Sequence, residues 1–244
     1  MAYLAKSVHR QFVGLVLGFV GWIMMASISG VNDWRIWYVD NTTVITGGLA
    51  WVGVWRACFN SHILDSAEVC KSISLTDSFT PPEIAAAQVL CMTAIGVGVV
   101  ANLLAGYAVR NAILGVDGGH VRLAFVMAGS LYWLTAVCTL VPVIWNMSSV
   151  LANLTIDFPP DFYLPSAPVK QEVGPGIGFG IGSACLLIVS GLLLLCYRYP
   201  KTKMPTSGET EHFDESLRDE GFLGVIKESM DEGKINAAYE SDNH

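Results

Sequence analysis

The segment from Trp34 to Cys70 reads WRIWYVDNTTVITGGLAWVGVWRACFNSHILDSAEVC. Residues 34–39 and 49–59 are rich in aromatic and branched side chains, a composition that favours strands. Gly47-Gly48 lies between the two runs and is a turn signal. Because strands need hydrogen-bonding partners, we predict a small antiparallel sheet in this segment.

Two cysteines of this segment, Cys58 and Cys70, are natural partners for each other. The remaining four cysteines all fall within long apolar runs: Cys91, Cys138, Cys185 and Cys196. A disulfide closing so short a loop contributes about 3 kcal/mol on the chain-entropy model, and it persists only in an oxidising compartment. We therefore predict a disulfide that joins neighbouring strands. A zinc site is not expected, because the two cysteines and His62 lack a fourth ligand at useful spacing.

The composition of the whole chain indicates a membrane protein. Of its residues, 52% are hydrophobic and 14% are charged, whereas soluble domains carry about 25% charged residues. Four apolar segments are long enough to cross a bilayer, which takes about 20 residues of helix. We predict spans at about 11–31, 84–109, 121–145 and 175–197. The first has an alternative interpretation as a cleaved signal peptide, but its apolar run is longer than such peptides use.

The placement of positive charge predicts the orientation of these spans. Basic residues flank the first span, the short second–third connection and the end of the fourth span: Lys6, Arg10, Arg110, Arg122, Arg198, Lys201 and Lys203. Such flanks mark the cytoplasmic side. We therefore predict that both termini are cytoplasmic and that the loops at about 32–83 and 146–174 lie outside the cell.

Three glycosylation sequons fall on the predicted outer side, at Asn41, Asn146 and Asn153. Asn146 lies close to the predicted bilayer, so Asn41 and Asn153 are the candidate acceptors. The fourth span carries Gly174, Gly178 and Gly182 at a spacing that lets helices approach closely.

The acidity of the chain is concentrated at its C-terminal end. The formal net charge is −7, and residues 204–244 hold 11 acidic and 3 basic residues. We predict a membrane domain over 1–203 and a disordered cytoplasmic tail over 204–244. Cys196, at the cytoplasmic end of the fourth span, is a candidate for palmitoylation, with a plain buried thiol as the alternative.

The pattern Trp34…Gly53-Val54-Trp55-x-x-Cys58…Cys70 resembles the claudin signature. Arg122 and Trp145 stand at the two ends of the third span, where claudins carry the same residues. The second loop resembles the claudin second loop in its aromatic-proline turn, Asp161–Pro165, and in Lys170-Gln171-Glu172-Val173-Gly174. The similarity covers roughly residues 10–200.

The chain also departs from the claudin pattern. Val54 replaces the usual leucine, the cysteine spacing is longer, Gln88 replaces an arginine, and the second loop is longer before Phe162. The chain ends in His244 and lacks the Tyr-Val ending that many claudins present to PDZ scaffolds, which argues against anchoring by that route. It resembles a divergent claudin.

The resemblance implies a left-handed bundle of four transmembrane helices that carries an extracellular antiparallel sheet, with a fifth strand from the second loop. It implies adhesion at tight junctions of the plasma membrane, through contacts with itself and other claudins in cis and in trans. Trp34, Gly53 and Trp55 then seat the sheet on the bundle. Phe162, Tyr163 and Pro165 are candidate trans-contact residues, although the two rings have packing on their own sheet as an alternative.

The resemblance also implies that charge on the first loop selects ions. Asp65, Glu68 and Lys71 are the candidate residues, and their signs point in opposite directions. The first loop holds six acidic residues (Asp33, Asp40, Asp65, Glu68, Asp77 and Glu83) against three basic ones (Arg35, Arg56 and Lys71). A negative wall favours cations, whereas Lys71 follows Cys70 where a positive residue goes with barriers or anion preference. Both interpretations stay open.

No arrangement of residues in the sequence indicates catalysis. The histidines are scattered, and no ionisable residue lies near the centre of a span. The Gly-x-Gly spacing of the fourth span lacks the strand–turn–helix context of a dinucleotide site. We expect no enzyme activity, cofactor, metal or nucleic-acid partner. The alternative function is a regulatory subunit of a channel or receptor in the same membrane.

Overall fold

The computed structural model describes residues 2–40, 45–61, 67–116 and 119–197, with residues 2–8 described by their backbone. Four helices dominate: α1 (Ala2–Gly30), α2 (Pro82–Ile113), α3 (Gly119–Leu151) and α4 (Pro175–Leu195). All four are long and apolar enough to cross a membrane. They belong to a compact unit, Met1–Tyr199. The basic residues after the fourth span and the acidic tail lie outside the described residues.

The helices form one bundle, in which α1 contacts α2 and α4, and α3 contacts α2 and α4. Small residues bring α1 and α4 together. Ser183 Oγ donates to the carbonyl of Gly21 and Ser190 Oγ to that of Gly14, each over 2.7 Å. The close approach predicted for Gly178 and Gly182 is absent, since no atom lies nearer than 4.0 Å to a Cβ built on either.

A five-stranded antiparallel sheet stands at one end of the bundle. Its strands are β1 (Arg35–Tyr38), β2 (Ile45–Val52), β3 (Arg56–Ser61), β4 (Glu68–Ser72) and β5 (Lys170–Val173). They lie in the order β4-β3-β2-β1-β5, so the predicted fifth strand from the second loop pairs with β1. The predicted fold class, four membrane helices with a small sheet, is confirmed.

The Gly47-Gly48 pair does not form the turn that the sequence predicts. Both glycines lie inside β2, with φ of 71° and 63°. The register between β2 and β3 shifts between Ile45 and Ala50, which identifies a bulge. Positive φ at both residues explains why glycine is used there. The predicted strand at 34–39 is β1, whereas the run at 49–59 is divided between the end of β2 and the start of β3.

The two faces of the sheet differ in what covers them. On one face, Trp37, Ala50, Phe59 and Val69 lie opposite one another across four strands. The segment 156–164 packs on this face through buried apolar side chains, namely Ile156, Phe158, Phe162 and Leu164. We call this the covered face. On the other face, which we call the open face, Ile36, Trp51, Cys58 and Cys70 are the corresponding row.

A buried polar cluster joins the sheet to the bundle. Arg35, the first residue of β1, has its side chain 1% exposed, and Glu83, in the first turn of α2, has its side chain 4% exposed. Arg35 Nη2 donates to Glu83 Oε1 over 3.0 Å and to Asn146 Oδ1 over 2.6 Å, and Nη1 donates to Ser149 Oγ over 3.2 Å. Ser149 Oγ donates to Glu83 Oε1 over 2.6 Å. We call these four residues the polar clamp.

The clamp holds a charge where burial alone disfavours one. Burial lowers the pKa of the Arg35 guanidinium, while the hydrogen bond to Glu83 and that carboxylate's charge oppose the shift. Arginine stays protonated in proteins, so the positive charge persists and requires its buried partner. The clamp therefore ties β1 to the adjoining ends of α2 and α3.

Candidate functional site

The signature residues of the first loop lie where the sheet meets the bundle. Trp34 is 1% exposed, and its indole Nε1 donates to the carbonyl of Ile28 at the end of α1. A Cβ on Gly53 would lie 2.8 Å from Asn32 Cα, so only glycine fits that approach. Val54 is buried and Trp55 is half-buried beside it. These positions suit the seating role that the sequence analysis assigns to Trp34, Gly53 and Trp55.

The predicted disulfide is present between Cys58 on β3 and Cys70 on β4. The two residues are directly opposite in the strand register. Glu68 lies close enough to the two sulfurs to suggest a metal-binding group. Both cysteines are consumed by the disulfide, however, so this group offers no thiolate ligand.

Strand alternation separates the candidate selectivity charges. Glu68 and Cys70 point to the open face, whereas Lys71 points to the covered face with Val69. Lys71 Nζ lies 3.8 Å from Asp161 Oδ2 in the second loop. Within the described residues Glu68 has no ion-pair partner. Asp65, the third candidate, lies outside those residues.

The open face carries a second charged group on β5. Glu172 accepts hydrogen bonds from Lys170 Nζ and from the hydroxyl of Tyr38. The bond from Lys170 is the main cause lowering the pKa of Glu172, and the same bond raises the pKa of Lys170. The bond to Glu172 raises the pKa of Tyr38. Because folding lowers the pKa of Glu172, its ionised carboxylate stabilises the folded chain at a pH above the ordinary carboxyl pKa. That contribution is lost as the pH falls through the lowered pKa of the folded chain. Lys170 is exposed and the other two groups are half-buried, so solvent screens the pair and that stabilisation is small.

The second-loop candidates take different environments. Phe162 is 5% exposed, and its ring lies 5.2 Å from that of Phe79 and 5.3 Å from that of Phe158. Tyr163 is 57% exposed and adopts a left-handed conformation, with φ of 56°. Pro165 is half-buried. The packing alternative therefore describes Phe162. Tyr163 also contacts the sheet, edge-to-face with Phe59 at 6.5 Å between ring centroids, but more than half of it stays exposed for contact with another molecule.

Two of the three sequons lie in the described part of the chain. Asn146 is 1% exposed, and its Nδ2 donates to the carbonyls of Glu83 and Pro142 while its Oδ1 accepts from Arg35. It is therefore a structural residue. Asn153 is exposed two residues beyond α3, with φ of 52°. Asn41 lies outside the described residues.

Cys196 lies directly after α4 and is exposed, whereas Cys91 and Cys138 are buried. This placement argues against the plain buried thiol considered for Cys196. The C-terminal His244 lies outside the described residues.

Sequence reasoning missed the polar clamp. Arg35 and Glu83 were counted as charges of the first-loop wall, but both are buried and paired with each other, so neither contributes to an exposed surface. Arg35 directly follows the buried Trp34, and Glu83 is the second residue of α2. These positions are the only local signal in the sequence for a buried ion pair.

The fold and this site define a four-helix membrane protein whose two loops build one disulfide-linked sheet. The family model described as PMP-22/EMP/MP20/Claudin tight junction matches residues 19–196, and the chain belongs to that family. Rat claudin-3 is 28% identical over 209 residues, with 81% of this chain and 86% of the relative covered. Human claudin-5 is 28% identical over 204 residues, with 82% and 87% covered. Human claudin-4 is 24% identical over 208 residues, with 83% and 93% covered.

These relatives indicate a claudin-like, multi-pass membrane protein of tight junctions, and they do not favour the channel-subunit alternative. Interaction with other claudins follows from the same family membership. The family consists of structural proteins of the junction.

Proposed function

We propose that the protein assembles side by side in one membrane and head to head between cells, so that its sheets line the paracellular route. One observation carries this proposal: the disulfide-linked sheet is fixed to the bundle by the clamp, and the segment 156–164, which packs on the covered face, leaves its open face uncovered. Both termini are then cytoplasmic and the sheet lies outside the cell.

Expression in fibroblasts that lack tight junctions tests this function. Strands seen by freeze-fracture and enrichment at cell–cell contacts are the expected results, with changed transepithelial resistance when an epithelial line expresses the chain. Uniform surface distribution without contact enrichment would contradict the proposal and would favour an auxiliary subunit.

Tyr163→Ala is expected to reduce enrichment at cell contacts while leaving surface expression unchanged. An exposed aromatic side chain is typical of the residues that dominate interface energetics, and its truncation commonly costs about 2 kcal/mol or more. Contact enrichment is measured by mixing cells that express the variant with cells that express the original chain. Ser166→Ala, an exposed change in the same loop, is the matched control. Equal enrichment for both variants would remove Tyr163 from the trans contact.

Glu68→Gln is expected to lower the permeability of Na⁺ relative to Cl⁻ across a monolayer. Glu68 makes no ion pair with a described residue and lies on the open face at one end of the β3–β4 pair, whereas Lys71 lies on the other face near Asp161. Arg56 is also on the open face, but at the opposite end of the two strands, so we propose that the end of this face with Glu68 favours cations. Dilution potentials measure the ratio. Lys71→Gln, which changes a charge on the covered face, is the control and should shift the ratio less. A larger shift for the lysine variant would reverse the assignment.

Asn153 is expected to carry an N-linked glycan, because its sequon is exposed and the proposed orientation places it outside the cell. The starting chain carries Asn41→Gln, so that only the other two sequons remain. Adding N153Q should abolish the mobility shift on treatment with peptide N-glycosidase. Adding Ser148→Ala removes the Asn146 sequon, spares the clamp, and should leave the shift intact. Loss of the shift with the serine change alone would contradict this assignment.

We also propose that Cys196 is palmitoylated at the cytoplasmic end of α4. Hydroxylamine-sensitive labelling of the original chain, compared with Cys196→Ala, tests the lipid attachment.

A further inference from the structure

A cavity of about 730 Å³ lies on the outside of the bundle, between the β3–β4 edge of the sheet and the first turns of α2. Its lining comes from both elements and from the segment between them: Trp55, Arg56, Ser72, Ile73, Ser74, Leu75, Gln88, Val89, Met92 and Thr93. We call it the α2 groove. No residue of the claudin signature other than Trp55 belongs to it.

The α2 groove has one polar end and one apolar end. Arg56, Ser72 and Ser74 lie on the side of the sheet, and all three are exposed. Val89 and Met92 lie on α2 and are 50% and 57% exposed. Because α2 is long and apolar enough to span the membrane, this apolar wall is continuous with the surface that lipid chains cover. The groove thus crosses the boundary between headgroups and acyl chains.

Two polar groups of the groove lack partners in the described part of the chain. Arg56 makes no ion pair there. Gln88 is 2% exposed, and its Nε2 donates to the carbonyls of Val54 and Ile73, each over 2.9 Å. Its Oε1 has no hydrogen-bond partner. A ligand that satisfies both residues needs an anionic group for the guanidinium and, close to it, a donor for the amide oxygen.

We propose that the α2 groove binds sphingomyelin from the membrane leaflet on the side of the sheet. The phosphate accepts from Arg56, the amide N–H or the hydroxyl of the lipid backbone donates to Gln88, and one chain lies along Val89 and Met92. Phosphatidylcholine carries the same phosphate but has no N–H or O–H donor, and a sterol has a donor but no phosphate. In a cell, this site needs the proposed orientation, since it uses the outer leaflet.

The test uses the purified full chain in phosphatidylcholine nanodiscs that contain a small fraction of photoactivatable sphingomyelin. Both leaflets carry the probe, so the result does not depend on orientation or on junction function. Cross-linked peptides are identified by mass spectrometry. Arg56→Gln removes the cation, and Met92→Trp fills the acyl end without touching the polar residues. The matched controls are Arg110→Gln, at the other end of α2, and Leu103→Trp, on an exposed part of the same helix.

Labelling is expected to concentrate on residues 72–75 and 88–93, and unlabelled sphingomyelin should displace the probe. Arg56→Gln should reduce labelling about tenfold, the size of one lost charge-assisted contact. Met92→Trp should also reduce labelling, because its ring occupies the space of the lipid chain, while both controls should label as the original chain does. Labelling spread evenly over all helices would overturn the proposal. So would labelling that stays unchanged when unlabelled sphingomyelin replaces part of the phosphatidylcholine matrix, or that a sterol lowers equally. If Arg56→Gln fails to fold, the labelling of Met92→Trp still tests whether the lipid binds in the α2 groove.

Discussion

Replacing Glu83 by alanine is expected to lower the free energy of unfolding by about 3–5 kcal/mol. The change removes the carboxylate that both Arg35 Nη2 and Ser149 Oγ contact. Arg35 stays charged and buried, with only the neutral oxygens of Asn146 and Ser149 as partners. The loss of unfolding free energy comes more from the buried Arg35 charge that is left uncompensated than from the lost attraction between Arg35 and Glu83.

Thermal unfolding of the purified chain in detergent micelles measures this effect. Glu172→Ala removes an acid of the exposed pair with Lys170 and should change little, because exposed ion pairs contribute little. The double variant Arg35→Met/Glu83→Leu removes both charges and fills similar volume, and it should recover most of the lost stability. If the double variant is as unstable as Glu83→Ala, then the clamp acts by hydrogen-bond geometry and the buried charge does not explain the loss.

The bundle and the disulfide follow from the sequence because their signals are local. A run of about 20 apolar residues defines a span without reference to its neighbours. The helices α2 and α3 contain their predicted runs, and α1 and α4 end one and two residues before theirs. Cys58 and Cys70 lie close in sequence, and every other cysteine falls in an apolar run. Tyr163 is exposed where the aromatic turn suggests it.

The polar clamp and the covered face do not follow from the sequence, because their partners are distant along the chain. Arg35 and Glu83 are 48 residues apart, and Arg35 and Asn146 are 111 apart. In the sequence alone, a charged residue of an exposed loop cannot be distinguished from one that the fold buries against a partner. Phe162 and Tyr163 are also adjacent, and only the position of the sheet decides that the first is buried. Gly47-Gly48 is equally suited to a turn and to a bulge, since both use positive φ.

Replacing both Cys58 and Cys70 by alanine is expected to lower the free energy of unfolding by about 2–5 kcal/mol. The disulfide ties β4, the edge strand, to β3. Without it, β4 is held by its backbone pairing to β3, by the contact of Val69 with the core of the covered face and by the exposed ion pair of Lys71 with Asp161. Loss of β4 would also release Lys71 from Asp161 and would open one wall of the α2 groove.

The same unfolding measurement, with and without reductant, tests this change. Cys185→Ala removes an exposed free thiol and should leave stability unchanged and still sensitive to reductant. The disulfide and the clamp share no partner and lie on strands separated by β2, so their losses should add within about 0.5 kcal/mol. A double-cysteine variant as stable as the original chain would mean that the second loop and the clamp hold the sheet by themselves. A combined loss far below the sum would mean instead that the two devices restrain one cooperative unit.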